Sequence, residues 1–217
     1  MKKLLSLFFV LLLLSCGKDK TLDQQNREKL EGTWTAECVE DGYGGSQFYI
    51  MEDIYGDEYN STTFTIKKYQ DLNCTDAQND YDLVFTGKTT TGFVEGETSK
   101  TDKVLTYLGA DGFKYNMEVI TADLVVRDNT SPTITGYFFG TPPRCDTFTG
   151  TPVNNKAYSF LNCGDMDNIK VSDMWYITGI IVNDDLFLSI PPETLNNPEE
   201  RTPLDSEDDL WTSLTKE

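Results

Sequence analysis

Thirty-six aspartates and glutamates stand in this chain without a single histidine, and that combination decides most of the chemistry open to it. Without imidazole there is no Ser-His-Asp or Cys-His relay and no histidine-ligated zinc or iron centre. The sequence also lacks a Gly-x-Ser-x-Gly elbow, a Walker loop and a dinucleotide fingerprint. Carboxylate chemistry stays open, because two acids about 5–9.5 Å apart suffice to hydrolyse a glycosidic bond. So many acids will meet that spacing somewhere by chance, so the expectation is a protein that is not an enzyme and needs no cofactor. Asp165-Met166-Asp167-Asn168 offers oxygen ligands at alternate positions, like a fragment of a calcium loop, without the glycine and terminal glutamate of an EF-hand. Asp71, Asn73 and Asp76 gather loosely beside Cys74. Both groups read better as turn acids bonded to their own backbone, and no metal is expected.

The other reactive side chains are five cysteines. Lys2 and Lys3 precede an apolar run, Leu4 to Leu14, interrupted only by Ser6, which is the pattern of a secretory signal peptide over residues 1–15 and too short to span a bilayer. Leu13-Leu14-Ser15-Cys16 resembles a bacterial lipobox. The resemblance implies cleavage after Ser15, acylation of Cys16 and lipid anchoring to the outer membrane. Lys18 and Asp19 are similar to the charged signals that send Bacteroidota lipoproteins to the cell surface, although Lys20 replaces a further acid; the surface is preferred over the periplasmic face. In an exported chain, Cys38, Cys74, Cys145 and Cys163 favour disulfides over metal ligation, and no CxxC spacing suggests zinc. Three connectivities exist; Cys38–Cys74 and Cys145–Cys163 are favoured, since each pair flanks a strand-turn-strand unit.

The elements that must carry these residues are mostly strands. In Trp34-Thr35-Ala36-Glu37-Cys38 and in Thr63-Phe64-Thr65-Ile66-Lys67 apolar residues alternate with polar ones, the period of a half-buried antiparallel strand. Further strands are expected over Gln47–Met51, Tyr81–Thr86, Gly92–Glu95, Lys103–Leu108, Lys114–Thr121, Ile134–Phe139, Ala157–Asn162, Met174–Val182 and Asp185–Ser189. Turn residues such as Asp41-Gly42, Gly44-Gly45 and Asn183-Asp184 separate them. Many short strands at even spacing point to an all-β sandwich or barrel, with one domain over 30–217. Residues 16–29 read as a polar tether, part of it helical, because Thr21-Leu22-Asp23-Gln24 has capping-box spacing. Residues 193–209 are acidic and contain proline, a loop or tail across the barrel, with Leu210-Trp211 as an apolar latch. The formal net charge of −18 opposes phosphate backbones and excludes nucleic acid as a partner.

Two motifs stand together: "LEGTWTAEC" from Leu30 to Cys38, and "FTIKKYQDLNC" from Phe64 to Cys74. Their joint pattern, Gly-x-Trp with a cysteine four residues after the tryptophan and then Tyr-x-Asp-x2-Cys, resembles the adenomatosis polyposis coli down-regulated 1 family and similar small bacterial lipoproteins. The ending "RTPLDSEDDLWTSLTKE" is similar to their closing segment, with Thr202 and Pro203 exchanged. The resemblance implies an antiparallel, lipocalin-like β-barrel or half-barrel able to hold an apolar ligand. Gly32, Trp34, Cys38, Tyr69, Asp71 and Cys74 would then be structural positions.

Alternation nominates Phe64, Ile66, Phe85, Tyr107, Tyr115, Phe138 and Trp175 as residues lining a barrel interior, where larger barrels leave a cavity. The function expected from the sequence is thus a lipid-anchored module that binds a small apolar ligand or an envelope partner. Its rivals are a structural lipoprotein with a filled barrel and, further behind, a carboxylate glycoside hydrolase.

Overall fold

Thr21 starts the first element in the way its spacing requires. Its hydroxyl accepts from the Gln24 amide at 3.2 Å while the Gln24 side chain accepts from the Thr21 amide at 3.0 Å, a complete capping box on the nine-residue helix α1, Leu22–Leu30. The computed structural model describes residues 20–92, 112–164, 166, 169–189 and 210–217. Cys16, the expected signal peptide, Tyr107, Asp165, Asp167, Asn168 and the 193–209 segment lie outside them, as does nearly all of the strands expected at Gly92–Glu95 and Lys103–Leu108.

Ten strands follow: β1 Gly32–Thr35, β2 Val39–Glu40, β3 Ser46–Ile54, β4 Asn60–Tyr69, β5 Asn79–Thr90, β6 Phe113–Val126, β7 Ala157–Ser159, β8 Met174–Val182, β9 Asp185–Ser189 and β10 Leu210–Lys216. They form one antiparallel sheet in the order β1-β10-β9-β8-β6-β5-β4-β3, and pairing of β1 with β3 closes it into an eight-stranded barrel. β2 extends β3 at one rim, and β7 adds to β6.

Period-two burial fills the barrel from its own walls. Trp34, Met51, Phe64, Phe85 and Ala122 stand opposite one another in successive strand pairs, so one belt of side chains crosses five staves. All five are buried in a single core with Leu124, Ile177 and Leu214. At the fold's opening motif, Gly32 holds φ +129°, and a Cβ there would lie 2.9 Å from Cε of Lys216. Trp34 then turns inward, its indole N–H donating to the Leu30 carbonyl at 2.6 Å, with Lys216 Nζ 5.1 Å from its ring centre.

Within the expected tether over residues 16–29, the helix predicted from the Thr21–Gln24 spacing is present: α1 buries Asn26, Arg27 and Leu30 against the barrel, where Arg27 reaches the Gly56 and Asp57 carbonyls. Three sequence expectations need correction. The strand at Trp34 ends with Thr35, and Cys38 is exposed where its disulfide draws the chain outward. Ile134–Phe139 is not a strand. Thr133–Phe138 forms a π-helical turn entered through Pro132, with the Phe139 amide bonded to the Ile134 carbonyl at 2.9 Å and Ile134 and Phe138 buried on one side. The expected latch at Leu210-Trp211 is the start of a full stave, β10, paired with β9 and β1.

Candidate functional site

The two ends of the barrel differ. At the end carrying α1, polar side chains are consumed by one another. Asp53, on β3, is 3% exposed and accepts from Asn60 Nδ2 and, at 2.7 Å, from the Thr62 hydroxyl. The hydroxyls of Thr62, Thr89 and Tyr115 follow in a chain at 2.8 and 3.4 Å. Arg27 binds Asp23 at 2.9 Å, and Asp23 in turn accepts from the Thr91 amide and hydroxyl. Burial raises the Asp53 carboxyl to about 6, against the lowering pull of Thr62 and Asn60. One atom is left over: Asn60 Oδ1 is buried with no partner.

The other end, the mouth, is partly filled by the long connection between β6 and β8. Its aromatic residues interlock: Phe139 stacks on Phe148 at 5.4 Å, and Phe139 meets Tyr158 edge-on at 4.8 Å. Phe138 and Phe160 carry the contact into the barrel, against Tyr81 at 5.1 Å and Phe85 at 5.6 Å. The Cys145–Cys163 disulfide braces this lid, and Cys38–Cys74 ties the β1–β2 link to the β4–β5 turn, the pairing favoured from the sequence.

Between the lid and the β2–β3 hairpin a groove of about 690 Å³ remains, lined by Asp41, Tyr43, Gly44, Gly45, Lys68, Tyr69, Gln70, Asp80, Tyr81, Ser131, Pro132, Thr133 and Tyr137. The hairpin is shaped by Asp41, whose Oδ1 accepts from the Tyr43 and Gly45 amides at 2.8 and 3.1 Å. Gly45 is held so close to β4 that a Cβ would sit 2.3 Å from the Tyr69 carbonyl oxygen. Asp80 Oδ1 accepts from Gln70 Nε2 at 2.6 Å. Arg144 lies 3.6 Å over the Tyr137 ring, fixing one face while half of the side chain stays exposed. Register places Lys68 opposite both Gln47 and Tyr81, and the ammonium donates to Gln47 Oε1.

Electrostatics follow from this half-burial. Desolvation pushes the Lys68 ammonium below its ordinary value, with Asp41 pulling the other way. Burial raises the Tyr69 phenol to about 12, aided by Asp76, Asp82 and Asp71, and raises Tyr81 as well. Both phenols therefore stay protonated and able to donate at neutral pH.

The residues nominated from alternation went elsewhere. Phe64, Phe85, Tyr115, Phe138 and Trp175 are buried, and Ile66 packs on the same core. Phe85 meets Trp175 at 4.8 Å and Phe64 meets Tyr49 at 6.0 Å. None of the six borders the groove or the two smaller surface depressions. Of the motif residues, Tyr69 lines the groove, and Asp71 accepts from the Thr75 amide at 3.2 Å, its carboxyl lowered chiefly by the Thr75 hydroxyl. Among the described residues no three acidic or cysteine side chains assemble into a cation site, and no helix is long and apolar enough to cross a membrane. The groove residues escaped sequence reading because four separate segments supply them: the β2–β3 hairpin, the end of β4, the start of β5 and the turn from Ser131 to Tyr137. The one available signal was Asp41-Gly42-Tyr43-Gly44-Gly45, a tyrosine exposed among turn residues.

The architecture defines a class: a closed, eight-stranded, lipocalin-like barrel with a helix across one end and a groove at the other. The chain matches no family model and no curated protein.

Proposed function

We propose that the protein is an envelope binding module, anchored through acylated Cys16, that takes a polar ligand in the mouth groove. One observation carries this reading. The Tyr69 and Tyr81 hydroxyls and the Oδ2 atoms of Asp41 and Asp80 have no hydrogen-bond partner among the described residues, although the rest of each side chain is fixed by packing or by Oδ1. A groove of this volume with convergent polar groups and shifted pKa values is the usual form of a binding site. Two disulfides fit an exported chain. The mutual packing of Phe64, Phe85 and Trp175 weighs against an apolar ligand held within the barrel.

The test is amide NMR of the full-length protein in detergent, titrated with a fragment library of sugars, amino acids, fatty acids and aromatic compounds. Shifts gathered at Tyr43, Lys68, Tyr81 and Tyr137 are expected. Shifts at Phe64 and Trp175 instead would return the ligand to the interior, and none at all would leave a structural lipoprotein with a filled barrel.

A further inference from the structure

The composition of the groove narrows its ligand. Among the described residues that line it, four are tyrosines and the only other apolar side chain is Pro132, with no leucine, isoleucine, valine, methionine or phenylalanine. An acyl chain or an aliphatic peptide side chain would meet no matching surface. A ligand here must offer flat C–H faces to aromatic rings and hydroxyls to everything else. The polar lining is mixed in the same sense: the phenols of Tyr69 and Tyr81 donate, the carboxylates of Asp41 and Asp80 accept, and Gln70 can do both. Only groups that donate and accept at once, arrayed at the edge of a ring with an apolar face, satisfy such a set without leaving orphans.

Charge narrows it further. In the groove Asp41 and Asp80 stand against the Lys68 ammonium, with the Arg144 guanidinium over the Tyr137 ring, and the chain as a whole carries a net charge of −18. The field of the whole chain therefore disfavours anionic ligands. The two exposed tyrosines supply the platform. Tyr43 is 96% exposed at the hairpin tip and Tyr137 is 50% exposed on the lid, so the groove has aromatic surface on both banks. Beside Tyr43, a Cβ on Gly44 would meet nothing within 4 Å, so the bank is open there. Arg144 against Tyr137 holds that ring in place before any ligand arrives.

From these observations, and resting on the assignment of the groove as the binding site, we propose that the protein binds a neutral oligosaccharide, stacked between Tyr43 and Tyr137 and hydrogen-bonded to Asp41, Tyr69, Asp80 and Tyr81.

The experiment titrates full-length protein in detergent with soluble neutral hexasaccharides (β-glucan, α-glucan, xylan, mannan and chitin types), with an oligogalacturonate and with an unstructured peptide mixture. Amide NMR locates each site and calorimetry measures its affinity. At least one neutral sugar should shift the groove residues, and the oligogalacturonate should not. Tyr137→Ala should weaken that binding by about tenfold or more, whereas Tyr137→Phe, which keeps the ring, should stay within about threefold. Binding of the peptide mixture at the groove with no response to any sugar would overturn the saccharide assignment and leave the groove standing. Silence of the groove toward every probe would remove both. Sugar binding unaffected by Tyr137→Ala, with shifts elsewhere, would overturn the proposal as well.

Discussion

At the closed end the Arg27 guanidinium, the Asp53 carboxylate and the hydroxyls of Thr62, Thr89 and Tyr115 all find partners inside the chain. At the mouth, side chains of the same chemical types, Asp41, Asp80, Tyr69 and Tyr81, end at a groove with oxygens left unmatched among the described residues. Both ends are built on the same staves, β3, β4 and β5, so the contrast lies in what covers them. A helix with a buried arginine seals one end, and a lid of interlocked rings stops short of sealing the other. Polar groups that a fold has satisfied contribute to stability; those it leaves unmatched at a fixed position are available to a ligand.

The contrast breaks first if the seal proves dispensable. Arg27→Ala strips partners from the Gly56 and Asp57 carbonyls and from Asp23, and should cost about 3–5 kcal/mol in urea unfolding. A loss below about 1 kcal/mol would mean that α1 merely rests on the barrel.

Next in size is the brace at the mouth. Cys38 and Cys74 are 36 residues apart, and replacing both by serine should lower stability by about 3–4 kcal/mol on the loop-entropy model. Reducing agent also opens Cys145–Cys163, so its effect on the unmodified protein should exceed that figure, while no change in either measurement would remove the brace from the account.

The third test changes sign. The folded Asp53 carboxyl sits at about 6 against an ordinary 3.8. Its protonated form therefore stabilises the fold fully below about pH 3.8, and that contribution is lost as the pH rises through about 6. Asp53→Asn removes the titration and keeps an oxygen to accept from one of the two donors, Asn60 Nδ2 or the Thr62 hydroxyl. It should raise stability by about 2–3 kcal/mol at pH 8, with the gain shrinking steadily toward pH 4. A gain independent of pH would show that ionisation of Asp53 is not its source.

The smallest effect sharpens the contrast from the other side. Tyr43→Ala touches a ring that is almost wholly exposed and should leave stability within about 0.5 kcal/mol. Melting that falls by several degrees would give the hairpin tip a structural duty.

Sequence reading succeeded where one local rule governed. Alternation found β3, β4, β8 and β9, Gly-x-Trp found the barrel's first stave, and the spacing of Thr21 and Gln24 found α1. It failed where two rules share one signature. Ile134-Thr135-Gly136-Tyr137-Phe138 satisfies alternation poorly and i,i+4 burial well, yet Pro132 ahead of it was the decisive clue for a helical turn. Of the aromatics nominated as inward-facing, Phe64, Phe85, Tyr115, Phe138 and Trp175 are buried; whether inward means cavity or core depends on what else arrives there, and Phe138 and Phe160 arrive from a connection more than forty residues long. The groove was illegible for the same reason. Tyr43, Tyr69, Tyr81 and Tyr137 become neighbours only through strand register and the lid.

The position of α1 has a geometric consequence for a chain held by its N-terminus. β5 runs twelve residues, Asn79–Thr90, from Asp80 and Tyr81 in the groove to the end next to Thr91, whose amide donates to Asp23, about 40 Å at 3.3 Å per residue. Between the proposed acylated Cys16 and the helix cap at Thr21 lie four residues, about 14 Å when extended. On the proposed anchoring, so short a leash would keep the sealed end near the lipid and make the barrel a pedestal. The groove would then be displayed some tens of ångströms from the membrane.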